Sequence, residues 1–459
     1  MTRQLFRMTS FVALTLAAFG YGNDFEVELT PSGFGAYNIG QVVQANPSTA
    51  ANVSNAQVDH ILFQQMFLGM NIKVDYNPLP FTTYLGAELK ALTEVPRSQV
   101  TSQDQGLGTR LFYFFYLTRM DMVYSLNDAF NIDFGYFPYK YNEDSRNLGE
   151  YLFRTGTYPQ YIITSFDFSA ARLMGLNLFG TLFRDGSLLS DLNYSLIADI
   201  NLERATMGDL NVSGIASVSL FNRLLEIGGG FSLNSLVSAF ENRTQPDTTV
   251  AIPEYNPNGL YIDKNGDTTT YTFAGTKLMA RLSIDPKALF STDIFGKEDL
   301  KLYAEAAILG LKDYPVSLDT SYTGTRYDDI LKRMPVMFGF NFPTFKILDV
   351  LSMEWEWFGS IYPNDMTSYI VEGLPVPIST NWKNNNSSGP YQDSAADNWK
   401  WSIYAKKTFA KHFFAVFQVA NDHYRWDCSA DYILQSKLLS EALTQKKHKY
   451  YVVKLGYQF

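Results

Sequence analysis

The chain has 459 residues, and its 46 Asp and Glu against 37 Lys and Arg give a formal net charge of −9, which leaves no basic face for nucleic acid. Aromatics make up 15 % of it, yet no stretch beyond the N-terminus approaches the ~18 consecutive apolar residues of a helical membrane span. A lone cysteine, Cys428, excludes an intramolecular disulfide framework and a multi-cysteine metal site, and no metal or cofactor is expected.

Residues 1–22 read as a secretory signal peptide: Arg3 and Arg7 precede an apolar run from Phe11 to Phe19, and small residues stand at Ala18, Gly20 and Gly22. No cysteine follows that run to carry a lipid. The remainder, 23–459, reads as one domain. Its first strand candidate starts near Phe25, which leaves no room for an N-terminal plug.

Sixteen segments of period-2 alternation follow, near 25–39, 60–76, 80–93, 109–124, 130–141, 161–183, 189–202, 208–221, 224–238, 270–285, 299–311, 333–344, 348–361, 398–408, 412–425 and 448–459. The even-numbered connections are short, as at Asn77-Pro78-Leu79, Asn222-Arg223 and Phe409-Ala410-Lys411. The odd ones are mostly long: 40–59, 94–108, 142–160, 239–269, 312–332, 362–397 and 426–447. This parity predicts an all-β, transmembrane antiparallel up-and-down barrel with both termini on the short-turn side. Two places strain the count. The segment 161–183 could be two strands joined at Ser169-Ala170-Ala171, which makes eighteen the fallback, and the turn 286–298 is long for its side.

Several segments set an apolar face against a polar one. Leu351, Met353, Trp355 and Trp357 oppose Ser352, Glu354 and Glu356, and Trp399, Trp401 and Ile403 oppose Lys400, Ser402 and Tyr404. A Lys or Arg facing lipid at the midplane costs roughly 2–4 kcal/mol, so the charged faces should turn inward onto a polar lumen. Its lining would carry Lys73, Lys90, Arg119, Lys277, Arg281, Lys301, Lys400, Lys406 and Lys454 with Asp75, Glu88, Asp121, Asp133, Asp199, Glu226, Glu305, Glu354 and Glu356. Such mixed charge suggests weak charge selectivity. Sixteen strands enclose room for an aqueous channel, whereas about eight leave an interior filled by side chains.

The last eleven residues, KYYVVKLGYQF, place Tyr451, Val453, Leu455, Tyr457 and Phe459 on one strand face. With the N-terminal signal and the loop alternation, this ending resembles the porin-like outer-membrane β-barrels of Gram-negative bacteria. The resemblance implies residence in the cell outer membrane among lipid and lipopolysaccharide. It also implies a terminal segment read by the barrel-assembly machinery through Tyr457 and Phe459, and it allows a homotrimer. By position, the third external loop, 142–160, would fold inward and narrow the pore, with Glu143, Asp144, Arg146, Glu150 and Arg154 as constriction residues. In that family such loops often set acidic residues opposite a basic wall. The implied function is passive diffusion of small hydrophilic solutes.

Two other readings stay open. The long loops 239–269 and 362–397, with Tyr255, Tyr261, Trp382 and Tyr391, could bind a polysaccharide or a partner. A carrier of hydrophobic solutes would want an apolar lumen and a plug. No enzymatic activity is expected; of four histidines only His423, beside Asp422, offers an arrangement worth checking. The DKNGD run at 263–267 reads as a β-turn, and 429–447 as a short helix over the external mouth.

Overall fold

The computed structural model describes residues 26–45, 58–77, 79–95, 110–154, 170–184, 188–200, 208–237, 239, 260–262, 268–270, 274–290, 293–311, 330–357, 399–424, 443 and 445–459. Residues 1–25, Cys428, the 263–267 run, most of 429–447 and most of both long loops lie outside the described residues.

Sixteen strands close into one antiparallel barrel, each bonded to its sequence neighbours and the last to the first. They are β1 (Glu26–Ala45), β2 (Val58–Asn77), β3 (Phe81–Val95), β4 (Arg110–Asn127), β5 (Phe130–Tyr139), β6 (Ala171–Arg184), β7 (Leu189–Ile200) and β8 (Leu210–Leu220). There follow β9 (Leu225–Val237), β10 (Gly275–Ile284), β11 (Leu302–Ile308), β12 (Val336–Asn341), β13 (Val350–Trp357), β14 (Trp399–Phe409), β15 (Phe413–Asn421) and β16 (Lys449–Gln458). A separate two-stranded ladder pairs Leu260–Ile262 with Thr268–Thr270. Among the described residues the ambiguous segment contributes one strand, β6, and the closed barrel has sixteen.

The alternation of side chains makes this wall two-sided. Along β10, Lys277, Met279, Arg281 and Ser283 are buried inside while Leu278 and Leu282 are exposed outside. On β2, Phe63, Gln65 and Phe67 point inward and Met66, Leu68 and Met70 outward. The barrel closes where β16 meets β1 with Gly35 opposite Tyr457. Past the strand, Phe459 exchanges backbone hydrogen bonds with Gly33 at 2.9 and 3.1 Å.

The wall is uneven in height. β1 and β2 have 20 residues each, whereas β11 has 7 and β12 has 6. At about 3.3 Å per residue the tall arc is some three times the low one. The turn that precedes the low arc is long because it has structure of its own. Asp285 caps a 3₁₀ turn at Pro286–Leu289, and Asp299 collects the N–H groups of Gly296 and Phe345 and the hydroxyl of Thr344.

Candidate functional site

The connection after β5 turns into the barrel and lies against the inner wall on the low side. Tyr141, Leu148, Tyr151, Leu152 and Phe153 are all buried there. Two cross-strand rows make the floor. One runs Arg281, Glu305, Met337, Glu356, Lys400 across β10 to β14; the adjacent row runs Ser283, Tyr303, Gly339, Glu354, Ser402. Gly339 has no side chain because the Tyr303 ring lies where a Cβ would stand, 2.2 Å from the nearest ring carbon. That passage lets the Tyr303 hydroxyl reach Glu354 at 2.9 Å.

The wall glutamates hold the loop by its backbone. Glu354 accepts the N–H groups of Arg146, Asn147 and Leu148, the last two at 2.8 Å. Glu305 accepts those of Glu150 and Tyr151 at 3.0 and 2.9 Å, together with the Tyr141 hydroxyl and the Asn142 amide. Glu356 takes the Tyr151 hydroxyl at 2.8 Å and pairs with His423. Successive N–H groups converge in this way because Gly149 and Glu150 both adopt positive φ, +83° and +63°, which turns the chain as an anion-binding nest. One helical turn, α1 (Tyr151–Arg154), follows.

The loop side chains complete the seat. Glu150 folds back onto the N–H groups of Tyr141 and Asn142. Burial, then the nearby Glu305 charge, pushes its carboxyl up to about 7. Burial works against the Asp144 charge, but Lys301 at 2.8 Å and Ser283 outweigh it and hold that carboxyl below its ordinary value. Arg146 meets Glu298 of the long turn at 2.6 Å, and Lys301 also meets Glu298, at 3.2 Å. Arg154 donates to the Asn147 carbonyl. Glu143 is exposed. The five loop residues named from sequence thus divide: Asp144, Arg146, Glu150 and Arg154 fix the loop, and Glu143 is left exposed. The family pattern of acidic loop against basic wall is largely reversed, since acidic wall residues here grip loop amides.

The lumen is not uniformly polar, contrary to expectation. Ile215, Gly230, Met279 and Ala307 fall in one row across β8 to β11. With Phe137, Leu173, Ile197, Tyr303 and Met337 they form an apolar cluster inside the barrel that receives Leu148, Tyr151, Leu152 and Phe153. Sequence reading passed over these wall residues. The signal was there: single apolar residues interrupt the polar face of successive strands, Ile197 between Ser195 and Asp199, Met279 between Lys277 and Arg281.

A second inward contact involves Leu443, whose carbonyl accepts from Lys400 and whose side chain joins Val42, Phe63, Ala420, Tyr424, Tyr450 and Val452. Asp422 links the loop to the closing strand, accepting from Asn147 of the loop and from the Tyr450 hydroxyl of β16; burial raises its pKa. His423 and Asp422 therefore act here as loop anchors.

The opposite arc, β1 to β6, borders a cavity of about 620 Å³. Lys73, Glu88 and Arg119 line it, with Tyr84, Phe34 and Arg172. Lys73 pairs with Asp75 at 2.7 Å, and Arg119 with Asp121 through Nε and Nη2. The other wall charges named from sequence point inward elsewhere. Lys90 and Lys454 flank the Phe67 ring at 5.5 and 5.1 Å, and Lys406 lies over Phe414. Glu226 pairs with Arg281, and Asp199 accepts from Asn211 at 3.0 Å. Asp133, Lys277 and Lys400 are buried, and Lys301, Glu305, Glu354 and Glu356 lie under the loop.

No protein-family model matches the chain, and no curated protein matches it. Solved structures similar to it are porins. Salmonella typhi OmpF in complex with daunomycin is 11 % identical, with 94 % of this chain and 97 % of that one covered at a TM-score of 0.42. Pseudomonas putida OprB at low pH is 7 % identical, covering 94 % and 92 % at 0.44. A mutant Rh. blastica porin is 8 % identical, covering 94 % and 100 % at 0.39.

Proposed function

We propose that this chain is an outer-membrane channel for the passive diffusion of small hydrophilic solutes, narrowed by the loop 140–154. The observation that carries the reading is a closed sixteen-strand barrel whose inserted loop is held on one arc of the inner wall while a cavity of about 620 Å³ follows the other. Sixteen-strand barrels are wide enough for an aqueous channel. The exposed residues of the strand faces include Leu68, Met70, Phe115 and Phe338, the apolar outside that lipid requires. Among the described residues no helix is long and apolar enough to cross a membrane, so any crossing is by strands.

In this reading residues 1–22 direct secretion and are removed, and 23–459 form one barrel domain. Tyr457 and Phe459, at the closing strand, present the assembly signal, and lipid and lipopolysaccharide surround the wall. The loop residues Asp144, Arg146, Glu150 and Arg154 set the width of the passage, and Lys73, Glu88 and Arg119 line it. The reading also allows a homotrimer. The 6 to 8 residues of β11, β12 and β13 fall short of the ~9–11 that a tilted strand needs to cross hydrocarbon, and their outer face carries Val336, Phe338, Trp355 and Trp357. A neighbouring copy would cover that arc.

The test is swelling of liposomes that contain the refolded full chain, across a series of neutral sugars. Entry of small sugars with a sharp size cutoff supports the channel; a folded, heat-modifiable barrel that admits none overturns it.

A further inference from the structure

Water that fills a lumen wets its wall, so the burial of inward side chains marks where the passage narrows. On β1 the inward residues Glu28, Thr30 and Ser32 are exposed near the short turns, whereas Ala36, Asn38 and Val42 are 5 % exposed or less toward the long loops. On β2 Asn71 is exposed, and Phe67, Gln65 and Phe63 are 3 % exposed or less. The closing strand β16 repeats the change, from exposed Gln458 to buried Val452 and Tyr450. The cavity borders the wet half of β1 and β2, at Thr30, Ser32, Asn71 and Lys73.

The loop 140–154 does not dry this arc, because the apolar cluster that it joins lies on β5 to β12. A separate cluster does. Leu443, fully buried, packs with Val42 of β1, Phe63 of β2, Ala420 of β15, and Tyr450 and Val452 of β16. The wall also holds the backbone around it. Lys400 Nζ donates to the Leu443 carbonyl, and Asn421 Nδ2 donates to the carbonyls of Gln445 and His448 at 2.8 and 2.7 Å. The His448 N–H closes a turn on the Gln445 carbonyl at 3.0 Å. On the low arc wall carboxylates take loop N–H groups; here wall donors take carbonyls, so both inward segments have buried backbone groups paired by the wall.

We infer that this segment, Leu443 with 445–448, is a second constriction, and that it sets the size limit for solutes on the arc that the loop 140–154 leaves open. This rests on the channel reading above and names the residues that decide its cutoff. A solute in the cavity has to pass the level of Phe63, Val452 and Val42 to reach the long-loop side. Leu443 is seated at that level from outside the wall strands, so it can leave without breaking a strand ladder.

The experiment is single-channel conductance of the refolded full chain, paired with liposome swelling across a series of neutral sugars. Leu443→Asp puts a charge into the apolar seat, and Lys400→Met independently removes the donor to the Leu443 carbonyl. Each should raise the conductance and shift the cutoff to larger sugars in a barrel that keeps its heat-modifiable mobility. Leu443→Asp should raise conductance again in the chain that lacks 143–154, which separates this segment from the first loop. Two folded variants that both keep the parent's conductance and cutoff overturn the inference and leave the channel standing, and so does a rise that vanishes once 143–154 is deleted. No conductance from the parent, from either variant or from the deletion overturns the channel itself.

Discussion

The carboxylate of Glu354 on β13 and the backbone N–H of Leu148 meet at 2.8 Å across 206 residues of sequence. Arg146 and Asn147 give their N–H groups to the same carboxylate, so one wall side chain fixes three consecutive loop residues. Backbone donors left unsatisfied when buried cost roughly 1–3 kcal/mol each. Replacement of Glu354 by Ala should therefore release the loop from the wall by several such increments while the strand ladder stays intact. Limited proteolysis within 143–154 should become rapid, and single-channel conductance should rise; a variant as resistant as the parent chain would show that the carboxylate does not hold the loop.

Gly149 tests the same seat from the loop side. Its φ of +83° is unfavourable for an L side chain, and a Cβ there would stand 2.5 Å from Met337 and 3.1 Å from Glu305. Gly149→Ala should weaken docking by about 1–2 kcal/mol from the left-handed backbone alone. The measurement is hydrogen exchange at Leu148 and Tyr151, which should accelerate while β1 and β2 remain protected.

The apolar floor makes a third prediction. A Cβ on Gly230 would come within 2.9 Å of the Gly214 carbonyl, 3.0 Å of Leu152 and 3.1 Å of Ile215, so the wall and the loop both close on the space that this glycine leaves. Gly230→Leu overfills it, a change that typically costs about 1–3 kcal/mol. It should reproduce the raised conductance of the Glu354 variant without removing any charge. Unchanged conductance in a folded Gly230→Leu barrel would contradict the packing described.

Docking should also depend on pH through Glu150. Its carboxyl, raised to about 7 by burial and then by Glu305, binds a proton in the docked loop that it releases at ordinary carboxylate pH when the loop is free. The docked state therefore holds more protons, and docking weakens as pH rises from about 4.5 through about 7. Arg154 and Lys140 face the same carboxyl and partly offset the effect. Conductance noise from loop excursions should grow over that interval in the parent chain and stay flat in Glu150→Gln; growth of equal size in both would assign the titration to another group.

Much of the fold is legible in the sequence because a barrel wall imposes period 2 on every strand and its connections alternate in length. Lys277, Arg281, Glu354 and Lys400 could be turned inward from that pattern alone. What could not be read is how rows assemble across strands. Tyr303, Gly339 and Glu354 become one device only through a register set by 35 residues of intervening chain on one side and a tight turn on the other. The same holds for Ile215, Gly230 and Met279, each an unremarked residue in its own strand. Loop position suggested an inward segment, but the residue types in 142–154 did not show that its backbone would be the part that is bound. The Ser169-Ala170-Ala171 ambiguity arose because small residues fit both a turn and a strand start; here Ala171 opens β6.

The central claim is that the chain is a channel whose width is set by a loop held on the inner wall. Single-channel conductance of the refolded full chain, measured beside the chain lacking 143–154, tests it most directly. The account predicts stable conductance from both and a larger value for the deletion. Two folded, heat-modifiable barrels that conduct equally would contradict the constriction, and two that conduct nothing would contradict the channel.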